Sequence, residues 1–123
     1  MLNILKNKLL VTGILLTFSS FSYSQATVIP DTLVFSNYFS PNGDGHNDTF
    51  VILNLETYEE CLLMVYNIWG DLVYENNAYA NNWNGKANRG LKITGKDLPE
   101  GVYYYVFEDS LGNKYKGQVT LKR

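Results

Sequence analysis

The ten residues Leu98-Pro-Glu-Gly-Val-Tyr-Tyr-Tyr-Val-Phe107 decide the fold class. From Val102 to Phe107 every residue is β-branched or aromatic, which is the composition of a strand on a half-buried sheet. Pro99 and Gly101 shape a turn just before Tyr103, as at the entry to a tyrosine corner, where the tyrosine hydroxyl folds back onto the preceding turn. The corner therefore favours the strand face that holds Tyr103 as the core face.

Shorter strand-like runs surround this segment, and turn signals rich in glycine and asparagine separate them. No stretch has a convincing helical period. Aromatic residues make up 15% of the chain, which also favours strands. We therefore predict an all-β fold, an immunoglobulin-like antiparallel β-sandwich of about seven strands. The predicted strand-like runs are 33–39, 49–55, 61–69, 72–74, 102–107 and 115–121, with Trp69 expected in the core.

The start of the chain has the three zones of a secretory signal peptide. Lys6 and Lys8 supply the positive charge, and an apolar run of about ten residues follows, which is shorter than the roughly 20 of a membrane span. Small residues then indicate a cut between Ser24 and Gln25. A short membrane anchor is the alternative, and the length disfavours it. The predicted organisation is a signal peptide at 1–24, a linker at 25–32 and one domain at 33–123.

Composition and charge exclude several classes of function. One histidine and one cysteine rule out a multi-histidine metal site and an internal disulfide. The formal net charge of -2 argues against a nucleic-acid partner. Residues 25–123 carry eight basic and twelve acidic residues, a net charge of -4. All eight bases follow residue 85, so residues 86–123 have a net charge of +4. Either acidic and basic strands pair across the sheet, or a basic surface docks on an acidic partner.

Three segments in order carry a family resemblance: Phe-Ser-Pro-Asn-Gly-Asp-Gly-His-Asn-Asp-Thr-Phe at 39–50, Val-Tyr-Asn-Ile-Trp-Gly at 65–70, and Leu98 to Tyr105. The second segment continues into 72–75 and Trp-Asn-Gly at 83–85. Together they resemble the gliding motility-associated C-terminal domain, the type B sorting domain of the type IX secretion system, over about residues 33–123. The fold-motif positions are Pro41, Gly43, Gly45, Gly70, Gly85, Gly101 and Tyr103.

The resemblance implies an exported address label. The chain would cross the inner membrane, pass through the periplasm, and be recognised at the outer membrane by the type IX translocon and an associated partner protein. Its destination would be the cell surface or the medium, with no catalysis and no small-molecule substrate. Family members usually carry a long cargo, whereas about eight residues precede the predicted domain here. The chain is then a minimal effector, a translocon subunit or a fragment without its cargo.

The segment from Asn42 to Asp48 is the densest polar cluster in the sequence. Asn42, Asp44, Asn47 and Asp48 offer the hard oxygen ligands that suit Ca²⁺. Their spacing does not match the EF-hand loop. The alternative is a glycine-bent loop in which these side chains cap backbone N–H groups. Ca²⁺ is the one cofactor that the sequence suggests.

Two further candidates concern binding to a partner. Trp83, in the asparagine-rich segment 76–88, is either a half-exposed anchor or a ring tucked over the end of the sandwich. The C-terminal bases either guard a sheet edge or are recognised by strand addition, and they are Lys114, Lys116, Lys122 and Arg123. The alternative function is a small surface adhesion module that binds glycan or calcium through the Asn42–Asp48 loop and Trp83. Cys61 is predicted to be a buried, inert thiol, and no motif indicates an enzyme.

Overall fold

Seven strands lie within residues 32–123, the part of the chain that this computed structural model describes. They are β1 (Val34–Phe35), β2 (Tyr38–Phe39), β3 (Ile52–Leu53), β4 (Leu62–Tyr66), β5 (Leu72–Asn76), β6 (Gly101–Glu108) and β7 (Lys114–Leu121), with a 3-10 helix at Leu55–Thr57 after β3. Within these residues no helix has the length and hydropathy that a membrane span requires. The predicted signal peptide and its cleavage site lie outside the described residues.

The strands form two sheets. β1 pairs with β3 in a small antiparallel sheet, and the other five lie in the order β2-β7-β6-β4-β5. β4–β5 and β6–β7 are antiparallel hairpins, and β4 also pairs antiparallel with β6. The prediction of an all-β fold is confirmed, and two sheets of this kind are consistent with a β-sandwich.

One strand pair differs from the predicted, wholly antiparallel arrangement. β2 runs parallel to β7, with Tyr38 opposite Thr120 and Phe39 opposite Leu121. The backbone N–H of Thr120 donates to the carbonyl oxygen of Asn37 at 3.0 Å. β1 and β2 are successive parts of one segment that passes from the small sheet to the large one. β1 is antiparallel to β3, and β2, which continues in the same direction along the chain, is parallel to β7.

The tyrosine-corner face of β6 forms part of the core, as predicted. Tyr103, Tyr105 and Phe107 are buried, whereas Tyr104 is 47% exposed. The Tyr103 hydroxyl donates to the carbonyl oxygen of Pro99 at 2.7 Å. The ring is therefore buried while its polar end has a partner, which is the physical advantage of the corner.

Trp83 lies at the centre of the core with 1% of its surface exposed. Its ring centroid is 5.0 Å from that of Phe39, 5.4 Å from that of Tyr74 and 6.2 Å from that of Tyr103. The indole N–H donates to the carbonyl oxygen of Lys86 at 3.0 Å, so the buried donor is satisfied. The asparagine-rich segment thus supplies a large core side chain rather than a half-exposed anchor.

The same segment takes the place of a further strand beside β3. The Asn81 side chain accepts from the backbone N–H of Ile52 at 2.8 Å and donates to its carbonyl oxygen at 3.2 Å. The Tyr79 hydroxyl donates to the Phe50 carbonyl at 2.5 Å and accepts from the Trp83 N–H at 3.0 Å. Burial raises the pKa of Tyr79, so the phenol remains a donor. Side chains here satisfy backbone groups that a strand would otherwise pair.

Trp69 is 79% exposed, so the prediction that it lies in the core is wrong. β4 ends at Tyr66, and a turn follows at once. The Asn67 side-chain oxygen accepts from the backbone N–H groups of Trp69 and Asp71, both at 2.9 Å. The apolar run therefore contains a strand and then a turn, and the apolar composition of the turn concealed the boundary.

Candidate functional site

The loop from Asn42 to Asp48 folds around its own side chains. One carboxylate oxygen of Asp48 accepts from the Gly43 N–H at 2.9 Å, and the other accepts from the Gly45 N–H at 2.8 Å. Asn42 and Asp44 each accept from the N–H two residues further on, at 3.1 and 2.8 Å. This is the backbone-capping chemistry of Asx turns, which the sequence offered as one of two interpretations.

The capping bonds occupy oxygens that a cation would need. The Gly45 N–H has the largest influence on the pKa of Asp48 and lowers it; desolvation opposes this, and the Gly43 N–H adds to it, so the pKa lies below its usual value. The Asn47 amide nitrogen donates to the Tyr38 hydroxyl at 3.2 Å. In residues 32–123 no three His, Cys, Asp or Glu side chains converge to hold a metal ion. The weak Ca²⁺ site stays a prediction from the sequence, open to calorimetry.

The four C-terminal bases fall into two groups. The Arg123 guanidinium donates to the carbonyl oxygens of Leu98 at 2.9 Å and Gly85 at 3.0 Å, so it ties the chain end to two loops. The lysines are exposed, and the two ion pairs described for residues 32–123 do not include them: Lys114, Lys116 and Lys122. Arg123 therefore stabilises the fold, whereas the lysines are available to a partner.

Charge pairing across the sheet explains little of the uneven charge distribution. Of the two ion pairs found within residues 32–123, only that of Arg89 with Glu75, at 3.2 Å, joins the acidic and basic parts of the chain. The other joins Lys86 and Asp97 at 2.9 Å, both from the basic part. None of these four residues belongs to β7. Lys114 and Lys116 on β7, with Lys122 directly after it, thus form what we call the basic strip on β7, and neither of these two ion pairs includes them.

One edge of β7 is only partly paired. β7 pairs with β6 along its whole length, from Lys114 to Leu121, whereas β2 covers only Thr120 and Leu121. The Thr120 N–H points to β2, and alternate residues of a strand direct their backbone groups to the same side. Lys116 and Gln118 therefore direct theirs to the open edge. Lysines protect such an edge from aggregation, and an extended segment can also add a strand there.

Gly85 marks the place where the C-terminus docks. Its φ is +88°, and a Cβ there would lie 3.0 Å from the Arg123 guanidinium and 3.2 Å from Leu121 Cδ1. Any side chain would therefore be strained and would crowd the docked end. The other fold-motif positions lie in the Asn42–Asp48 loop and the segment leading to it (Pro41, Gly43, Gly45), in the turn after β4 (Gly70) and at the start of β6 (Gly101).

Two of the sequence candidates are buried. Cys61 is 1% exposed, as predicted, and burial raises the pKa of its thiol, which disfavours the nucleophilic thiolate. Trp83 is equally buried, so its ring offers no surface on which a sugar could stack. The adhesion-module hypothesis therefore lacks its aromatic platform.

Asp109 is a buried carboxylate that the sequence analysis did not single out. One oxygen accepts from the backbone N–H groups of Leu111 and Asn113, both at 2.9 Å. The other accepts from the Asn113 amide at 3.1 Å and from the Tyr115 hydroxyl at 3.2 Å. These bonds fix the turn from which β7 starts. The sequence signal that could have identified it is Asp109 followed four residues later by Asn113, with a glycine between them, which is a common turn pattern.

The free energy of unfolding should fall in acid because of Asp109. Burial alone would raise the pKa of Asp109, but the bonds to its carboxylate, led by the Asn113 N–H, hold that pKa below its usual value. Its contribution is therefore present above the unfolded pKa of about 3.9 and is lost as pH falls through the folded pKa. We expect D109N to be less stable at pH 7 and to lose less stability than wild type in acid. Urea unfolding at a series of pH values measures this, and parallel profiles would contradict it.

Comparison with known proteins identifies a family. The sequence model of the family described as CHU_C type IX secretion signal domain matches residues 33–121. A solved structure of PorZ, described as an essential bacterial surface component of the type-IX secretion system of Porphyromonas gingivalis, is 21% identical with a TM-score of 0.49. That match covers 85% of this chain but only 13% of the PorZ chain. No curated protein matches.

Proposed function

Because the chain belongs to the family of CHU_C type IX secretion signal domains, we propose that residues 33–123 are a sorting signal for type IX secretion. In this proposal the outer-membrane translocon recognises the folded domain, together with an associated outer-membrane partner protein. The chain is then delivered to the cell surface or the medium. We further propose that the domain is of type B, is immunoglobulin-like and belongs to the gliding-motility group of these signals.

The observation that carries the proposal is the extent of the family match. The matched residues 33–121 include all seven strands, so the match describes the whole folded unit rather than one motif. The family is not an enzyme class, and the proposed role requires no reaction, cofactor or small-molecule substrate. Recognition of a folded surface is enough.

The basic strip on β7 is our proposed contact for the secretion machinery. Lys114 and Lys116 stand beside the open edge, where backbone groups are free to pair. Lys122 follows at the end of the strand, and its N–H donates to the Phe39 carbonyl at 3.0 Å. An acidic, extended segment would complement both the charge and the unpaired backbone of this edge.

A reporter fusion tests the proposed function. A fluorescent protein inserted between Gln25 and Thr32 is expressed in a gliding host and in a mutant of that host without the translocon. We expect the reporter at the surface or in the medium of the intact host and in the periplasm of the mutant. A reporter that stays periplasmic in both hosts, even with candidate partner proteins co-expressed, would contradict the proposal. A fusion that ends before Leu33 serves as the control for the signal peptide alone.

A further inference from the structure

The turn that exposes Trp69 is tightly held. We call residues Asn67–Asp71 the Trp69 turn. Besides the two bonds to the Asn67 side-chain oxygen, the Asn67 N–H donates to the Asp71 carbonyl and the Gly70 N–H donates to the Asn67 carbonyl, both at 3.0 Å. Gly70 has a φ of +86°, which the turn requires. The backbone of the turn is therefore pre-organised, and it sets where its two large apolar side chains leave the chain.

Both of those side chains point into solvent. Trp69 is 79% exposed and Ile68 is 61% exposed. Exposed apolar surface of this size is unfavourable in water, so burying it against a partner would be favourable. Large, rigid aromatic side chains are also the ones that most often dominate the binding energy of protein interfaces. Because the backbone of the turn is ordered beforehand, little backbone entropy would be lost on binding.

A groove of about 450 Å³ lies beside the Trp69 turn. Trp69 and Ile68 form one side of it, and Ile93, Leu98 and Val102 line much of the rest. The volume lies within the range of pockets that take a side chain or a small ligand. The lining is largely apolar, so the groove suits an apolar side chain rather than a polar substrate.

The charges around the groove indicate what kind of segment fits it. Glu100 is the only charged residue in the lining, and Asp71 closes the adjoining turn. Among residues 32–123, neither takes part in a described ion pair. No Lys or Arg lines the groove. An incoming segment would gain electrostatic complementarity from a Lys or Arg next to its apolar side chain.

We propose that this groove, which we call the Trp69 groove, binds a protein partner through an apolar side chain next to a basic residue. The proposal rests on the proposed function, because the partner would belong to the secretion machinery. It adds a second contact surface, which is apolar and acidic and distinct from the basic strip on β7. One surface is basic and the other acidic. A partner with complementary charges that contacts both would therefore bind the domain in one preferred orientation.

The test uses the same reporter in the same intact host. We expect W69A to lower the exported fraction about tenfold, because Trp69 would be an interface hot spot. The matched control is L111A, which removes another apolar side chain that is 75% exposed in a turn. Thermal melting of both purified variants should match that of wild type, since neither side chain belongs to the core.

A second variant tests the charge. E100K should also lower the exported fraction, whereas E56K, which reverses an exposed acid on the 3-10 helix, should not. Export of wild type reports on the proposed function alone, and the ratio of variant to wild type reports on the groove. Export of W69A and E100K at the wild-type level would overturn the Trp69 groove while leaving the proposed function intact.

Discussion

Replacing Trp83 with alanine is expected to lower the free energy of unfolding by about 3–5 kcal/mol, the usual cost of truncating a buried tryptophan. The ring is enclosed by Phe39, Tyr74 and Tyr103, so the neighbours cannot all collapse into the cavity that it leaves. The Lys86 carbonyl also loses its donor. Small domains have a total stability of about 5–15 kcal/mol, so the variant would be close to unfolding.

The second tryptophan provides the matched control. Because Trp69 is 79% exposed, Trp69→Ala should change the free energy of unfolding by no more than about 0.5 kcal/mol. Urea unfolding followed by circular dichroism measures both variants without relying on tryptophan fluorescence. Equal losses for Trp83→Ala and Trp69→Ala would show that the assignment of core and surface to these two rings is wrong.

The sequence predicted those parts of the fold that depend on local pattern. The composition of residues 102–107 located β6, and the turn before Tyr103 identified its core face. The runs of strand length that form the hairpins β4–β5 and β6–β7 were also predicted, because turn residues separate them. These features are set by neighbouring residues along the chain, which is the information that a pattern contains.

The positions of the two tryptophans could not be predicted in this way. Trp69 continues an apolar run, yet the Asn67 side chain ends the strand by bonding to the backbone of the turn. Trp83 sits among asparagines, which indicate loops, yet that loop docks on the core through Tyr79 and Asn81. Burial in both cases depends on contacts between distant segments, and these override the local preference.

In the candidate site, too, the local contacts could be predicted from the sequence and the long-range contacts could not. The Asx-turn bonds of the Asn42–Asp48 loop are local, and they were one of the two interpretations of its sequence. The separation of Arg123 from the three lysines is not local, because its partners Leu98 and Gly85 are 25 and 38 residues away. Basic residues close together in the sequence therefore have two different roles: Arg123 stabilises the fold, whereas the three lysines lie on the surface.

Because Arg123 stabilises the fold and the lysines lie on the surface, a test of the C-terminal strand must change the lysines without disturbing the fold. Deleting residues 119–123 would remove the buried Val119 and Leu121 together with the Arg123 ties. Loss of export would then reflect an unfolded domain as readily as a lost contact. Substitutions at Lys114 and Lys116 change the basic strip without removing a core side chain, since both are exposed. Only such changes separate recognition from folding.

Gly117→Ala is expected to destabilise the domain by about 1–3 kcal/mol, the range for overpacking a core. The sign of this change in the free energy of unfolding is informative, because alanine within a strand is normally more stable than glycine by about 0.5–1 kcal/mol. Gly117 lies opposite Tyr105, and a Cβ there would meet the tyrosine hydroxyl and lie 2.6 Å from Cζ. The Tyr105 ring cannot move aside easily, because its centroid is 5.2 Å from that of Phe35 and 5.2 Å from that of Phe50.

A double-mutant cycle isolates the role of the ring. In a Tyr105→Leu background the side chain no longer reaches over position 117, so Gly117→Ala should cost much less or become stabilising. Urea unfolding of the four proteins gives the coupling free energy, which we expect to exceed about 1 kcal/mol for residues in direct contact. The same loss in both backgrounds would show that backbone conformation, rather than the Tyr105 ring, selects glycine.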